Sequence, residues 1–373
     1  MSVHQRVVAG VAGIALLTAC GGDDDGSSNA VAADTITEAQ EGSEDDQTGL
    51  TVRPGRASWE TGYFQNAIYA QLLEELGYAV TDPALNEYPP AEAYLAMAAG
   101  TFDFWANGWY SQHYTWHEQK LADGSLVADH VLVIGDQIKA GSLEGLVITK
   151  SVADEHGIES LDQIDGDPAL ASLFDTDGDG LGEVHGCPES WTCDDIIQEM
   201  IDFNGWTNLE QVKAEWDGLI ATSIDRVDAD EPVIQYTWSP SGHLTDLVPG
   251  ETVYWLSLGG SEHVLDGSTP GGFDFSHADA APLGDDCSAD PCWMGWEVAD
   301  IRVTANADFA AVNPVAVALF EVVELSIPDI ASQNVRYDAG ENTEADIQRH
   351  AAEWIEANRP LVDEWLATAR AAG

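Results

Sequence analysis

Residues 58–78 read "SWETGYFQNAIYAQLLEELGY", with apolar side chains at 64, 67, 68, 72 and 76. That three-and-four spacing is the signature of a helix with one buried face. Gly77 predicts where it stops, because glycine takes the left-handed conformation that ends helices at no steric cost. Short runs of strand composition flank it, "GLTVRP" before and "YAV" after. "PAEAYLAMAAG" then predicts a helix and "FDFWA" a strand. Further along, "LEGLVIT", "PVIQYTW", "TVYWLSL" and "ADIRVTA" are β-rich, while "CDDIIQEMIDFNGW" and "NPVAVALFEVVEL" have helical periodicity. Two helices close the chain, 343–358 and 361–371, the first opened by a capping pair of Thr343 and Asp346. Strands alternating with helices predict an α/β protein with largely parallel sheets. Ligands of such folds sit at the carboxyl ends of strands or between lobes. Trp109 and Trp238 each lie just past a predicted strand. No segment of 20–50 residues repeats, which argues against solenoids and propellers.

The N-terminus changes the compartment. Arg6 precedes the eleven-residue apolar run "VVAGVAGIALL", residues 7–17, too short to span a bilayer and suited to a signal peptide. Leu17-Thr18-Ala19-Cys20 resembles the bacterial lipoprotein signal. Residues 1–19 are therefore expected to be a lipoprotein signal peptide, with lipid on Cys20 anchoring the chain outside the cytoplasm. Residues 21–49 hold nine acids and no Lys, Arg or aromatic residue. Such a segment cannot bury enough apolar surface to offset its ordering entropy, so 20–49 predicts an acidic disordered tether. The chain from 50 onward is long enough for two lobes.

Charge excludes partners more than it identifies them. The chain has 66 acids against 13 Lys and Arg, a net charge of −53. Nucleic acid and anionic membrane surfaces are repelled by it. The acids are spread along the whole chain, which predicts a solvated surface suited to screening salt rather than one cation site.

Four cysteines follow Cys20, in two close pairs, 187/193 and 287/292. Outside the reducing cytosol this predicts disulfides Cys187–Cys193 and Cys287–Cys292. Neither pair has C-x-x-C spacing, and no zinc pattern is present. Thirteen tryptophans is a heavy allotment. In four segments a tryptophan adjoins turn residues and polar donors: "ANGWYSQH", "ESWTCDD", "YTWSPSG" and "PCWMGWE". A tryptophan face is the best side-chain partner for a cation that cannot donate hydrogen bonds. Asp175, Asp177 and Asp179 with Gly180 look like the front of a calcium loop, but Gly186 stands where the loop needs a bidentate glutamate. They read as a structural turn, with calcium as the weaker alternative and no metal otherwise expected. His113 and His117 have i, i+4 spacing without a neighbouring catalytic glutamate. No phosphate loop or nucleophile elbow occurs, so neither an enzyme nor a cofactor is expected.

"LFDTDGDGLGEVHGCPESWTC" followed by "PVIQYTWSPSGHLTDLVPGETVYWLSL", and later "IPDIASQN", resembles the glycine betaine-binding subunits of ProU-type osmoprotectant ABC transporters. The resemblance runs from about residue 50 to the C-terminus. It implies a type II periplasmic-binding-protein fold, two lobes closing on a ligand about a hinge. The lobes implied are 50–139 plus 258–373, and 140–257, with crossings near "IKAGSLEG" and "LSLGGSE". It also implies a quaternary-ammonium cage of Trp109, Trp191 and Trp238. The ligand carboxylate would be held by His113 and by the N–H groups of Thr192 and Cys193. Thr192 departs from the family's usual glycine, and residues 259–294 form an insertion without an obvious counterpart. The expected partners are glycine betaine or proline betaine and an ABC permease, the chain acting as a monomer. The competing expectations are a binder of choline, carnitine or dimethylsulfoniopropionate, and a sensory lipoprotein using the same cleft.

Overall fold

The computed structural model describes residues 50–373. The signal peptide, Cys20 and the acidic tether expected in 1–49 lie outside the described residues. Among the described residues no helix is long and apolar enough to cross a membrane.

Eleven strands form in chain order: β1 Thr51–Val52, β2 Pro54–Ala57, β3 Ala79–Val80, β4 Glu87–Tyr88, β5 Phe104–Tyr110 and β6 Val131–Thr149, then β7 Gly182–His185, β8 Leu209–Val212, β9 Ile234–Ser239, β10 Val253–Trp255 and β11 Ala299–Asn306. β1 and β3 pair alone; the other nine make one sheet in the order β4-β2-β5-β11-β6-β9-β7-β8, with β10 also on β6. The sheet is mixed, which corrects the expectation of largely parallel strands. Parallel pairs lie on its flanks, β2 with β4 and β5, and β7 with β8 and β9. Its centre is antiparallel, because β6 pairs in that sense with β9, β10 and β11.

β6 explains the difference. At 19 residues it is far longer than an ordinary strand. Its first part pairs with β11 and its second with β9, so one strand runs through the middle of the sheet. Against β11 its register slips twice, Ile301 facing Ile138 and Val303 facing Ile134. Each slip is a bulge that bends the strand. "IKAGSLEG" lies within this strand. The bend there is fixed by Ala140 at φ +45°, whose N–H donates to the Asp300 carboxylate at 2.6 Å. The second bulge needs Gly135: its φ is +64°, and a Cβ would meet the Phe320 carbonyl oxygen at 2.1 Å.

The helices follow their sequence patterns. Glu60–Glu75 buries Phe64, Ile68 and Leu72 completely or nearly so and ends before Gly77 at φ +96°. It packs against the helices Ile327–Asp338 and Glu344–Ala357. The capping box at Thr343 is formed in both directions with Asp346. Both disulfides are present, Cys187–Cys193 and Cys287–Cys292. The insertion 259–294 is irregular but anchored, since Leu265, Phe273 and Phe275 are buried in the main core. Asp175, Asp177 and Asp179 bring carboxylate oxygens within 4.8 Å of one another, and Asp175 and Asp177 also accept the backbone N–H groups of Gly178, Gly180 and Asp179, as in a turn.

Candidate functional site

The ends of β5 and β9, the interior of β6 and the starts of three helices, Glu60–Glu75, Pro90–Ala98 and Thr192–Asn204, meet at one pocket of about 330 Å³ that opens to solvent. Trp109 and Trp238 are not past their strands, as expected, but within the last two residues of β5 and β9. In β9, Tyr236 and Trp238 are two apart and so share a face. Glu144 on β6 is the direct antiparallel partner of Trp238, which puts its side chain on that face too. After β5 the chain tightens into a 3₁₀ turn, Gln112–Glu118, that brings Gln112 and His113 to the same pocket. Trp191 stands at the N-cap of the helix Thr192–Asn204, and Trp59 at the N-cap of Glu60–Glu75. All six residues expected to hold a ligand, Trp109, Trp191, Trp238, His113, Thr192 and Cys193, line this one pocket.

The indoles are locked by their own N–H groups. Trp109 Nε1 donates to Asn107 at 3.0 Å, Trp191 Nε1 to Ser58 at 3.1 Å, and Trp238 Nε1 to Thr61 at 3.2 Å. Three donors that a methylated cation cannot accept from are therefore satisfied inside the protein. What the rings still offer the pocket is π surface. Trp191 and Trp238 meet at 5.8 Å and 70°, and Trp59 meets Trp191 at 5.6 Å and 66°, edge-to-face arrangements that set walls at an angle. Trp216 braces both from behind, 4.7 Å from Trp238 and 5.6 Å from Trp191.

The opposite chemistry is also present. His113 Nδ1 accepts the Trp109 backbone N–H at 3.1 Å, so the neutral ring carries its proton on Nε2. Burial, with a smaller push from His117, lowers its pKa to about 3. His113 is thus a neutral donor at ordinary pH. It is expected to show the Nε2–H tautomer, uncharged, in imidazole ¹⁵N spectra at pH 5. Titration near 6.5 would contradict this geometry. Thr192 and Cys193 are the first two residues of their helix, and such N–H groups have no partner within the helix. Thr192 Oγ1 accepts the Trp116 indole N–H at 3.0 Å, which leaves its own hydrogen free to donate. Aromatic walls and anion-seeking donors in one pocket suit a small zwitterion.

The sequence profile described as the substrate-binding domain of ABC-type glycine betaine transport systems matches residues 50–357. The chain belongs to this family. It is 33% identical over 330 residues to the glycine betaine-binding periplasmic protein OusX of Dickeya dadantii, covering 87% of this chain and 91% of the relative. Over the same spans it is 29% identical to the glycine betaine/proline betaine-binding periplasmic protein of Salmonella typhimurium. A choline-binding protein of an ABC transporter, solved with choline, has the same fold: TM-score 0.63 at 17% identity, covering 86% of this chain and 96% of that one. The chain is accordingly an extracytoplasmic substrate-binding protein of ABC transport, with a periplasmic-binding-protein fold, and not an enzyme.

Sequence reasoning missed Trp59, Gln112, Glu144 and Tyr236, which line the same pocket. Tyr236 was within reach, two residues before Trp238 in a strand. Gln112 was within reach too, beside His113 in the same turn, whereas Trp59 and Glu144 arrive by tertiary packing and by the register of β6 against β9, with no local signal. Conversely, Trp296 of the fourth tryptophan segment is outside the pocket lining and packs on Tyr236 at 5.8 Å. His117 is not paired with His113 for a metal; its Nε2 lies 3.1 Å from the Tyr110 hydroxyl.

Proposed function

We propose that this chain captures glycine betaine or proline betaine in the tryptophan pocket and hands it to an ABC permease, as a monomer held to the membrane by lipid on Cys20. The observation that carries the reading is the pairing, within one pocket, of three indoles whose N–H groups are already spent with three donors suited to a carboxylate. The trimethylammonium group would lie against Trp109, Trp191 and Trp238. The carboxylate would accept from His113 Nε2 and from the N–H groups of Thr192 and Cys193. Cation–π contacts reach about 2 kcal/mol each when desolvated, enough for micromolar binding after the cost of association.

Capture also needs closure about a hinge. We place the lobes at 50–139 plus 258–373 and at 140–257. In support, three indole hydrogen bonds join the two sets of residues at the pocket: Trp191 to Ser58, Trp238 to Thr61, and Trp116 to Thr192. The bulged stretch of β6 around Ala140 is where the chain first passes between them.

A thermal-shift and calorimetry panel of glycine betaine, proline betaine, choline, carnitine and dimethylsulfoniopropionate tests the assignment. Glycine betaine or proline betaine is expected to raise the melting temperature and bind one to one. Failure of both to bind would overturn it.

A further inference from the structure

The pocket contains one ionisable group that a box for a neutral zwitterion does not require. Glu144 is 5% exposed and lines the pocket beside Trp109, Trp191 and Trp238. Its two oxygens take one neutral donor each, the Tyr236 hydroxyl and the Gln112 amide. Among the described residues no cation pairs with it. Burying a carboxylate without a cation is costly, and two neutral hydrogen bonds offset only part of that. Burial accordingly pushes its pKa up to about 7, against the pull of the two hydrogen bonds. The other titratable groups facing it are neutral. His113, on the 3₁₀ turn after β5, has its pKa lowered to about 3, and Tyr236, on β9, has its hydroxyl raised well above the ordinary value. At the start of the helix Thr192–Asn204, Asp194 is paired with Lys213 at 2.8 Å.

We propose that Glu144 sorts quaternary ammonium ligands by net charge, its ionised form favouring a choline-type cation over a betaine-type zwitterion. This rests on the tryptophan pocket being the ligand site. A choline-type ligand presents an uncompensated positive charge, which a carboxylate a few ångström away attracts in full. A betaine carries its own carboxylate close to its nitrogen, so attraction and repulsion at Glu144 partly cancel. Hydrogen bonding points the same way. Gln112 Oε1 is buried without a donor, and a ligand hydroxyl is a donor that choline has and glycine betaine lacks. The sign of the pH effect follows from linkage. A cation bound beside Glu144 stabilises the carboxylate, so protons and cation compete, and cation affinity rises with pH through the pKa of the free pocket. Protonated Glu144 leaves the pocket neutral and better suited to the zwitterion.

Calorimetric titration of choline and glycine betaine at pH 5.5, 7 and 8.5 tests the proposal on the full-length protein. Choline affinity is expected to rise roughly tenfold across that range, with glycine betaine changing less than about threefold. In Glu144→Gln the choline pH dependence should vanish, its affinity staying near the acidic wild-type value. Tyr236→Phe removes one donor from the carboxylate and should move the choline midpoint to higher pH. Choline affinity that is flat with pH in the wild type, or a Glu144→Gln change that weakens both ligands alike, would overturn the proposal while leaving the pocket assignment intact. Failure of both ligands to bind the wild type at every pH would overturn both.

Discussion

Trp238→Ala is expected to weaken glycine betaine binding at least tenfold, a loss of about 1.4 kcal/mol or more. Trp238 is 3% exposed, at the end of β9, with Trp191 and Trp216 against it. Its removal takes away one π wall and admits water to a pocket whose cation contact depends on dryness. It also removes the bond from Nε1 to Thr61, and large-to-small changes at buried aromatic residues cost about 3–5 kcal/mol of stability. Affinity and stability therefore have to be read separately, by calorimetry below the melting transition and by unliganded melting. Trp238→Phe separates them further, because it keeps a weaker π face while losing the indole N–H, and should lose less affinity. Trp109→Ala should behave like Trp238→Ala. Trp354→Ala, in the helix Glu344–Ala357 where the ring stacks on Trp365, should leave affinity unchanged. If Trp109→Ala and Trp238→Ala both bind betaine as the wild type does, the cage is wrong.

What the sequence reveals and what it hides divide along one physical line. Local rules read well: the apolar spacing of the helix Glu60–Glu75, its stop at Gly77, the Thr343–Asp346 box and the two cysteine pairs all depend on residues close in sequence. That Trp109, Trp191, Trp238 and His113 share one pocket was legible through motifs matching a family rather than through periodicity. β6 was half hidden. Two bulges break its alternation, and polar residues such as Asp136, Gln137 and Lys139 interrupt its first part, so only its apolar end read as strand. Glu144 gave no sign at all. Its neighbours in the pocket, Tyr236 and Gln112, lie 92 and 32 residues away in sequence; the register of β6 against β9 brings the first, and the turn after β5 the second. Trp59 was hidden for another reason: it stands at the N-cap of the helix Glu60–Glu75, and only the tertiary fold sets that helix start against Trp191.

Replacing Cys187 and Cys193 together by serine should weaken betaine binding more than it lowers the melting temperature of the unliganded protein. The bond closes a short ring across six positions, and loop entropy gives such a ring about 2 kcal/mol. That is a modest gain for a chain with a core this extensive. The local consequence is larger. β7 ends at His185, the helix begins at Thr192, and the intervening polar loop carries Trp191 into the pocket. Inside the loop, Trp191 N–H donates to the Pro188 carbonyl at 2.9 Å and Asp194 N–H to the Trp191 carbonyl at 3.1 Å, two bonds that alone would hold it loosely. The disulfide ties the end of the strand to the second residue of the helix. One covalent link thereby sets the position of an aromatic wall and the aim of the N–H groups of Thr192 and Cys193. These groups are at a helix N-terminus, where unpaired donors and the aligned backbone dipoles favour an anion. Without the link their ordering cost would be charged against binding each time a ligand enters. Cys287→Ser with Cys292→Ser is the matched control: that bond staples the insertion, neither cysteine lines the pocket, and affinity should hold. Calorimetry on both double variants, beside their melting curves, decides the matter. Unchanged betaine affinity in the first would mean that the Cys187–Cys193 bond serves the fold and not the ligand.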